Sequence, residues 1–399
     1  MQQYLRDNLY AVETENYGDQ LLKENIEKIF AEFRVGEKIS AGDRVLMKVN
    51  LLMGKDPSQA VCTHPAVVRA VAREVKALGG EPVLADSPGG PFNNAALKLA
   101  YSRSGYIEGA EKGFYELNYN TGSFYGKLEN GLRGKSFELC NFIKEADFII
   151  NMPKLKTHGL TLYTGAVKNL FGVVPGTVKA GYHFKMPKVR DFCQLLLDIA
   201  ELAAPDLSIM DAVTGMEGAG PSSGTPRDFK LLLAASDMLE LDLLVSWLLR
   251  GGSSYQNDPL PEAILRRYRQ PGESGNYERY YERYREENFL KEEIPDWLIE
   301  KFREVKLPDI DRTANLMDKR MPDFLISIVT RLVRPRPVFT SACIGCGICE
   351  KNCPPQVISL ERGQARAELE GCIRCFCCQE LCPHEAVEIK KPLLGRLFF

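Results

Sequence analysis

The C-terminal part of the chain contains the same cysteine pattern twice. Nine of the twelve cysteines lie between positions 343 and 382. Two runs with the spacing C-x2-C-x2-C-x3-C-P begin at Cys343 and Cys372, 29 residues apart, and an isoleucine after the first cysteine also coincides. The match indicates an internal duplication of one small unit. Cysteines that cluster at one end of a chain without a secretory signal point to metal ligation rather than to disulfides.

The spacing within each run is that of bacterial two-cluster ferredoxins, in which the fourth cysteine of each run binds the other cluster. We therefore expect two [4Fe–4S] clusters. The predicted ligands are Cys343, Cys346, Cys349 and Cys382 for one cluster, and Cys372, Cys375, Cys378 and Cys353 for the other. Two structural zinc sites are the alternative, although zinc sites need neither a third cysteine at the same gap nor a Cys-Pro. Cys377 is predicted to pack against a cluster, with a spare ligand or redox thiol as the alternative.

The composition of the whole chain is that of an ordinary globular protein. Hydrophobic residues make up 45% and charged residues 26%, which excludes disorder, collagen and small disulfide scaffolds. The formal net charge of −2 gives no reason to expect nucleic acid as a partner. The sequence has no stretch of about 20 apolar residues, and its N-terminus lacks the order of a signal peptide. We therefore expect a cytoplasmic protein without integral membrane association.

Alternating strand-like and helix-like segments in the first 250 residues predict an α/β fold. Short buried strands are predicted at 44–50, 81–86, 147–151, 207–211 and 229–235, each ending in polar residues. Helices are predicted after a Thr63 cap and over residues 189–203. This order indicates a mostly parallel sheet with flanking helices. Ligands of such sheets bind beyond the carboxyl ends of the strands.

The densest polar segment of this region, residues 151–183, contains four lysines and two histidines. We interpret it as a basic, glycine-rich loop that binds an anion such as a carboxylate or a phosphate. A solvated surface loop is the alternative. The predicted catalytic residues are Lys156, Lys168 and His158, the last as a proton shuttle. The residues predicted to bind the ligand or cofactor are Lys48, Asn50, Asp86, Lys154, Asn169, Gly172, Gly176 and His183. Because no phosphate-loop or dinucleotide-binding glycine motif occurs, a conventional nucleotide site is not expected.

Three regions follow from these patterns. Residues 1–250 are predicted to form the α/β domain, 251–335 a charged helical insertion and linker, and 336–399 a small α+β ferredoxin-like domain. The middle region interleaves arginine, tyrosine and glutamate, as in exposed helices with pairs of opposite charges. We interpret it as a helical insertion or a contact within a homodimer.

Several segments of the α/β region resemble the domain-of-unknown-function 362 family. They are Lys48-Val-Asn50, Thr63-His64-Pro65, Ala85 to Gly90, Pro153 to His158, Val167 to Gly172, Met216-Glu217-Gly218 and Gly220-Pro221. The resemblance covers most of residues 40–245, and the C-terminal part resembles a bacterial two-cluster ferredoxin. This pairing is familiar from anaerobic bacteria and archaea. It implies an architecture but no reaction, because the activity of the family is unsettled.

Three functions are compatible with these features. The first is an oxidoreductase or electron-transfer protein whose two clusters relay electrons to or from an anionic ligand, or a redox partner protein, at the α/β domain. The second is a non-catalytic electron carrier or an assembly protein for cofactors or metal centres. The third is a non-redox ligand-binding enzyme with structural clusters. Two clusters with exchanged ligands favour electron relay, and the basic segment favours ligand binding over a bare carrier.

Overall fold

The computed structural model describes residues 2–6, 8–186, 188–252, 258–268, 294–308 and 335–390. The strands are β1 Gln3–Arg6, β2 Leu9–Glu13, β3 Arg44–Val49, β4 Glu81–Ala85, β5 Glu116–Leu117, β6 Ser123–Lys127, β7 Ser136–Cys140, β8 Phe148–Met152, β9 Lys154–His158, β10 Leu162–Thr164, β11 Leu207–Glu217, β12 Thr225–Ala235, β13 Arg336–Phe339, β14 Ile358–Glu361, β15 Gln364–Ala367 and β16 Val387–Lys390. The α-helices are α1 Asp19–Glu32, α2 Pro65–Ala77, α3 Asn94–Arg103, α4 Ile107–Glu111, α5 Ala166–Asn169, α6 Gly176–Lys185, α7 Val189–Ala203, α8 Met238–Leu249, α9 Pro259–Tyr268, α10 Asp296–Lys301, α11 Ile348–Lys351 and α12 Cys377–Glu380.

A large mixed sheet organises the α/β part, in the order β1-β2-β12-β11-β8-β3-β4-β5. The pairs from β11 to β5 are parallel, whereas β12, β2 and β1 add an antiparallel edge. The central strands consist almost wholly of buried apolar residues, as expected for a sheet covered by helices on both faces. The predicted fold class is therefore confirmed, and the predicted strands have their counterparts in β3, β4, β8, β11 and β12.

Two apolar cores lie on the two faces of the sheet. Helices α1 and α2 contribute to one core, and α7 and α8 contribute to the other. The cap predicted for α2 is off by one residue. His64 is the N-cap, because its Nδ1 accepts a hydrogen bond from the backbone N–H of Ala66. Thr63 instead donates through Oγ1 to the carbonyl of Met152 and so ties α2 to β8.

The described ends of the predicted helical insertion pack into the second of these cores. Leu260 and Ile264 of α9 are buried there, as are Leu298 of α10 and Phe302. Described residues on both sides of position 250 therefore share one core, and the domain boundary expected there stays a prediction. Residues 253–257, 269–293 and 309–334, which make up most of the predicted insertion and linker, lie outside the described residues. Within the described part of the chain, no helix is long and apolar enough to cross a membrane.

The C-terminal part is a small unit with two short antiparallel pairs, β13 with β16 and β14 with β15. Its own core is minor and includes Ile358, Ala386 and Val387 together with several cysteines. So small a core contributes little stability by burial alone, because hydrophobic stabilisation scales with the apolar area removed from water.

Candidate functional site

A cleft of about 770 Å³, its open mouth included, lies where the C-terminal part covers the carboxyl ends of the parallel strands. The α/β part supplies lysines, amides and glycines to it, and the C-terminal part supplies Cys377, Glu380 and Leu381. The other lining residues are Asn50, Leu51, Leu52, Asp86, Ser87, Gly89, Gly90, Lys156, Thr164, Lys168, Asn169, Phe171, Gly172, Gly176, Lys179, Ala180, His183, Pro221 and Asn352. The sequence analysis predicts a loop for the basic segment 151–183, and this prediction is wrong. It folds into the hairpin β9–β10 followed by α5 and α6, because its apolar residues alternate with the polar ones and pack into the core.

A chain of side-chain amides fixes the floor of the cleft. Asn169 donates through Nδ2 to Oδ1 of Asn151, 2.8 Å away, and accepts at Oδ1 from Nδ2 of Asn50 at 2.9 Å. The Oδ1 of Asn50 is thereby turned toward Lys156, whose Nζ donates to it at 2.8 Å. The network is buried, and satisfied networks of this kind hold side chains in one arrangement.

Lys156 is the most unusual group in the cleft. Its side chain is 1% exposed, and its Nζ also donates to the carbonyl oxygen of Val61 at 2.7 Å. Burial is the main reason that the pKa of Lys156 falls to about 7. An amine with such a pKa can accept or donate a proton at neutral pH.

Most of the remaining polar groups of the cleft suit an anion, and the two carboxylates that also line it, Asp86 and Glu380, lie against Lys48 and His158. Lys168 and Lys179 are both half-buried, and burial lowers the pKa of Lys179 to about 8. The N-terminus of α6 opens on the cleft at Gly176, without a capping side chain. The buried Oγ1 of Thr164 has no hydrogen-bond partner in the described part of the chain. Lys179 donates to the carbonyl oxygen of Ser87, and the free hydroxyl of Thr164, the two lysines and a helix N-terminus together favour a carboxylate or a phosphate.

Lys48 and Asp86 form a buried ion pair, 2.9 Å long, behind this surface. The Nζ of Lys48 also donates to the carbonyl oxygens of Val49 and Asn169, which uses all three of its N–H groups. Gly172 packs against this pair so closely that a Cβ there would collide with both side chains. These contacts favour a supporting role for Lys48 rather than the ligand contact expected from the sequence.

Lys154 points to a different place. Its Nζ donates to Oδ2 of Asp211 at 2.7 Å and to the hydroxyl of Tyr17 at 2.9 Å. The ring of Tyr17 stacks on His64, 3.6 Å between centroids. Lys154 does not line the cleft, and the nearby Asp211 keeps its amine charged by raising its pKa against the effect of burial. This group is therefore a self-contained ion-pair network beside the cleft.

His158 and Glu380 join the two parts of the protein. The Nε2 of His158 lies 3.0 Å from Oε1 of Glu380, although its N–H does not point straight at that oxygen. The Nδ1 accepts from the backbone N–H groups of Leu160 and Thr161, so the proton of the neutral ring is on Nε2. Burial lowers the pKa of His158 to about 4. Burial by itself would raise the pKa of the Glu380 carboxyl, but the contact with the ring of His158 and the positive charge of Lys168 hold this pKa well below the usual range.

The geometry thus favours a docking role for His158 over the proton shuttle expected from the sequence. His183, the other histidine of the segment, lines the cleft and stacks on Phe192. Burial lowers its pKa to about 4 as well, so both rings are neutral at pH 7. Sequence reasoning missed Glu380, because an acidic residue between two cysteines carries no local sign of a contact with a distant strand.

Further contacts of α12 hold the C-terminal part on the cleft. Gln379 donates through Nε2 to the carbonyl of Ala219 at 3.0 Å, and Ser222 donates through Oγ to the carbonyl of Gln379. Leu381 packs against Gly89 so tightly that any Cβ there would displace it. Lys55 forms a 3.1 Å ion pair with Glu385 at the edge of the contact.

The cysteines of the two runs converge in the crossed arrangement. Cys343, Cys346 and Cys349 line one cavity together with Cys382 from the second run. Burial raises the pKa of Cys353, and its neighbours Cys375 and Cys372 from the second run raise it further. Burial raises the pKa of Cys378, and the nearby Cys375, Cys372, Cys349 and Cys353 raise it further, so Cys378 lies near members of both sets.

The chemistry of these two sets fits an iron–sulfur group. None of the twelve cysteines, all of which lie in the described ranges, forms a disulfide. In those ranges no group of three or more His, Cys, Asp or Glu side chains is arranged to hold a single metal ion. Four converging thiols, in the spacing typical of two-cluster ferredoxins, suit an iron–sulfur cluster, whose positive charge would stabilise the thiolates.

Comparisons with known proteins agree with this architecture. Residues 45–246 match the family model described as domain of unknown function (DUF362), and residues 338–383 match that of a 4Fe-4S dicluster domain. A relative, the thylakoid-associated protein sll1697 of Synechocystis, is 39% identical over 223 residues, which are 54% of this chain. The chain spans 66% of that relative's length.

A solved structure with a partial likeness is the lactate racemase apoprotein of Thermoanaerobacterium thermosaccharolyticum. It superposes with a TM-score of 0.38 and 12% identity over 58% of this chain and 54% of that one. The resemblance drawn from the sequence motifs is confirmed by the two family matches. The chain belongs to the DUF362 family and is an iron–sulfur protein with a C-terminal 4Fe-4S dicluster domain.

Proposed function

We propose that this protein is an oxidoreductase that transfers electrons between its dicluster domain and a small anionic ligand held in the cleft. One observation carries the proposal. Cys377, which lies between two predicted cluster ligands in the sequence, lines the same cleft as Lys156, Lys168 and Lys179. A redox group held by this segment would therefore be adjacent to a ligand bound by the lysines.

The residues that would hold the clusters are the two converging sets. They are Cys343, Cys346, Cys349 and Cys382 in one set, and Cys372, Cys375, Cys378 and Cys353 in the other. When bound, [4Fe–4S] clusters supply one-electron transfer. The docking contacts of Gln379 and Glu380 would keep the second set at a fixed distance from the ligand.

The cleft residues have separate tasks in this proposal. Lys168, Lys179 and the N-terminus of α6 would bind the negative charge of the ligand, and Thr164 would donate from Oγ1. Lys156 would exchange the proton that accompanies reduction or oxidation, because its pKa of about 7 allows both directions at neutral pH.

One cysteine of the first set lies at the surface, which supports exchange of electrons with an external carrier protein. Cys346 is exposed, and the neighbouring Ile344 is 65% exposed. Cys377 and Cys378, in contrast, are buried, and Cys377 lines the cleft. This difference in exposure suits entry of electrons at one end of the dicluster domain and their transfer to the ligand at the other end.

The proposal is tested by reducing the holoprotein anaerobically and adding small carboxylates and phosphates one by one. We expect at least one anion to reoxidise the clusters, with recovery of their visible absorbance and formation of a reduced product. Lys168→Met should slow this reaction at least tenfold at equal iron content. Lys185→Met, which removes an exposed lysine of α6, should not. Reoxidation by no anion, with normal exchange with a carrier protein, would instead favour a non-catalytic electron carrier.

A further inference from the structure

Three buried lysines lie on β3 and β9 near the cleft, and their counter-ions differ. Lys48 pairs with Asp86 at 2.9 Å, and Lys154 pairs with Asp211 at 2.7 Å. Among the described residues, no carboxylate lies within ion-pair distance of Lys156. The register explains the difference, since Lys154 of β9 is paired with Asp211 of β11 and Lys156 with Met216. A lysine this deeply buried is costly to keep charged without a counter-ion.

The contacts of Lys156 match a neutral amine. A neutral –NH2 group has two N–H bonds and one lone pair, and the two acceptors of Nζ are the amide oxygen of Asn50 and the carbonyl oxygen of Val61. Neither acceptor carries a charge. The Oδ1 of Asn50 cannot turn away without breaking the hydrogen bond from its Nδ2 to Asn169. With both N–H bonds engaged, the lone pair is left for the cleft that Lys156 lines.

We propose that Lys156 is a nucleophile that forms an imine with an aldehyde or ketone group of the anionic ligand. The substrate class is then a small carbonyl-bearing anion, such as a 2-oxo acid. The amine attacks the carbonyl carbon, a C–N bond forms, and the carbonyl oxygen leaves as water after two proton transfers. The inference rests on the proposed function only in placing an anionic ligand in this cleft, and for a carbonyl-bearing ligand imine formation replaces the proton exchange described there for Lys156.

Two further features support the inference. Burial leaves about half of the Lys156 amine unprotonated at neutral pH, whereas an ordinary lysine is almost wholly protonated there. Lys168 and Thr164 line the same cleft and would hold the carboxylate of a 2-oxo acid beside the amine. Desolvated lysines of this kind are the ones that form Schiff bases in other enzymes.

The experiment is reductive trapping on the anaerobic holoprotein. Glyoxylate is added with cyanoborohydride, which supplies a hydride to any imine, and the labelled lysines are identified by peptide mass spectrometry. We expect Lys156 to be labelled at least tenfold faster than Lys154, its equally buried neighbour on β9, and faster than the exposed Lys185. The rate at Lys156 should rise from pH 6 to pH 8, and Lys156→Arg should abolish the fast label at unchanged visible absorbance.

Labelling of Lys156 no faster than that of Lys154 or Lys185 would overturn the inference. The result is separate from that of the reoxidation experiment. If an anion reoxidises the clusters while Lys156 stays unlabelled, the imine is wrong and the proposed function stands. If Lys156 is labelled rapidly but no anion takes up electrons, the imine stands and the proposed redox function is wrong.

Discussion

Replacing Lys156 by methionine should remove a pH dependence from the stability of the fold. The pKa of this lysine falls from 10.5 to about 7 on folding. Between about pH 7 and pH 10.5 the unfolded chain therefore binds a proton that the folded chain does not, so stability rises with pH across this window. From pH 7 to pH 9 a shift of this size corresponds to about 2 kcal/mol. Lys156→Met should lack that gain.

Lys154→Met is the matched control, two residues away on the same strand. Asp211 keeps Lys154 charged by raising its pKa, so the loss of this lysine should not alter the slope between pH 7 and pH 9. It should lower stability at every pH in the range, by about 3–5 kcal/mol, because the fully buried Asp211 is left without its cation. Lys156→Met therefore changes how steeply stability rises with pH, whereas Lys154→Met lowers stability by the same amount at each pH.

The assay is anaerobic thermal unfolding of the holoproteins, followed by tryptophan fluorescence at pH 7, 8 and 9. A gain of about 2 kcal/mol corresponds to about 4–8 °C in the midpoint of a domain of this size. From pH 7 to pH 9, the unfolding midpoints of the wild type and of Lys154→Met should each rise by this amount relative to the midpoint of Lys156→Met. Parallel pH profiles for the wild type and Lys156→Met would refute the reasoning, because they would mean that Lys156 is charged in the folded protein.

Three other perturbations follow from the packing and the docking contacts. Gly172→Ala should cost about 1–3 kcal/mol of stability, measured by chemical denaturation, since the added Cβ pushes Asp86 and Lys48 apart. Glu380→Gln should speed hydrogen exchange in residues 377–381 without loss of iron, because the carboxylate at His158 is removed; unchanged exchange would argue against the docking role. Cys346→Ser should remove about half of the visible cluster absorbance, whereas full absorbance would show that this cysteine is not a ligand.

The parts of the molecule that local sequence determines were predictable. Cluster ligands in one run are separated by two or three residues, so their spacing is visible in the sequence. Buried strands such as β3 and β8 stand out as short apolar runs. The position of the cleft also agrees with the sequence analysis, because the carboxyl ends of parallel strands meet at one edge of the sheet.

The roles of individual lysines were not predictable, because they depend on strand register. Lys154 and Lys156 are two residues apart on β9 and so have equivalent positions in the strand pattern, but only Lys154 is paired with an aspartate of β11. Lys48 has a similar sequence context, yet it forms an ion pair with Asp86, the residue that follows β4. The contact between His158 and Glu380 depends on how two regions far apart in the chain dock, which no local pattern encodes.

The most direct test of the link between cleft and clusters is a potentiometric titration with and without a saturating anion, such as a 2-oxo acid found to bind by equilibrium dialysis. We expect the bound anion to lower the midpoint potential of one cluster, since added negative charge opposes reduction nearby. A tenfold weaker affinity for the reduced protein corresponds to about 59 mV, and Lys168→Met should diminish the shift. Identical potentials in the presence and absence of an anion that demonstrably occupies the cleft would contradict the account.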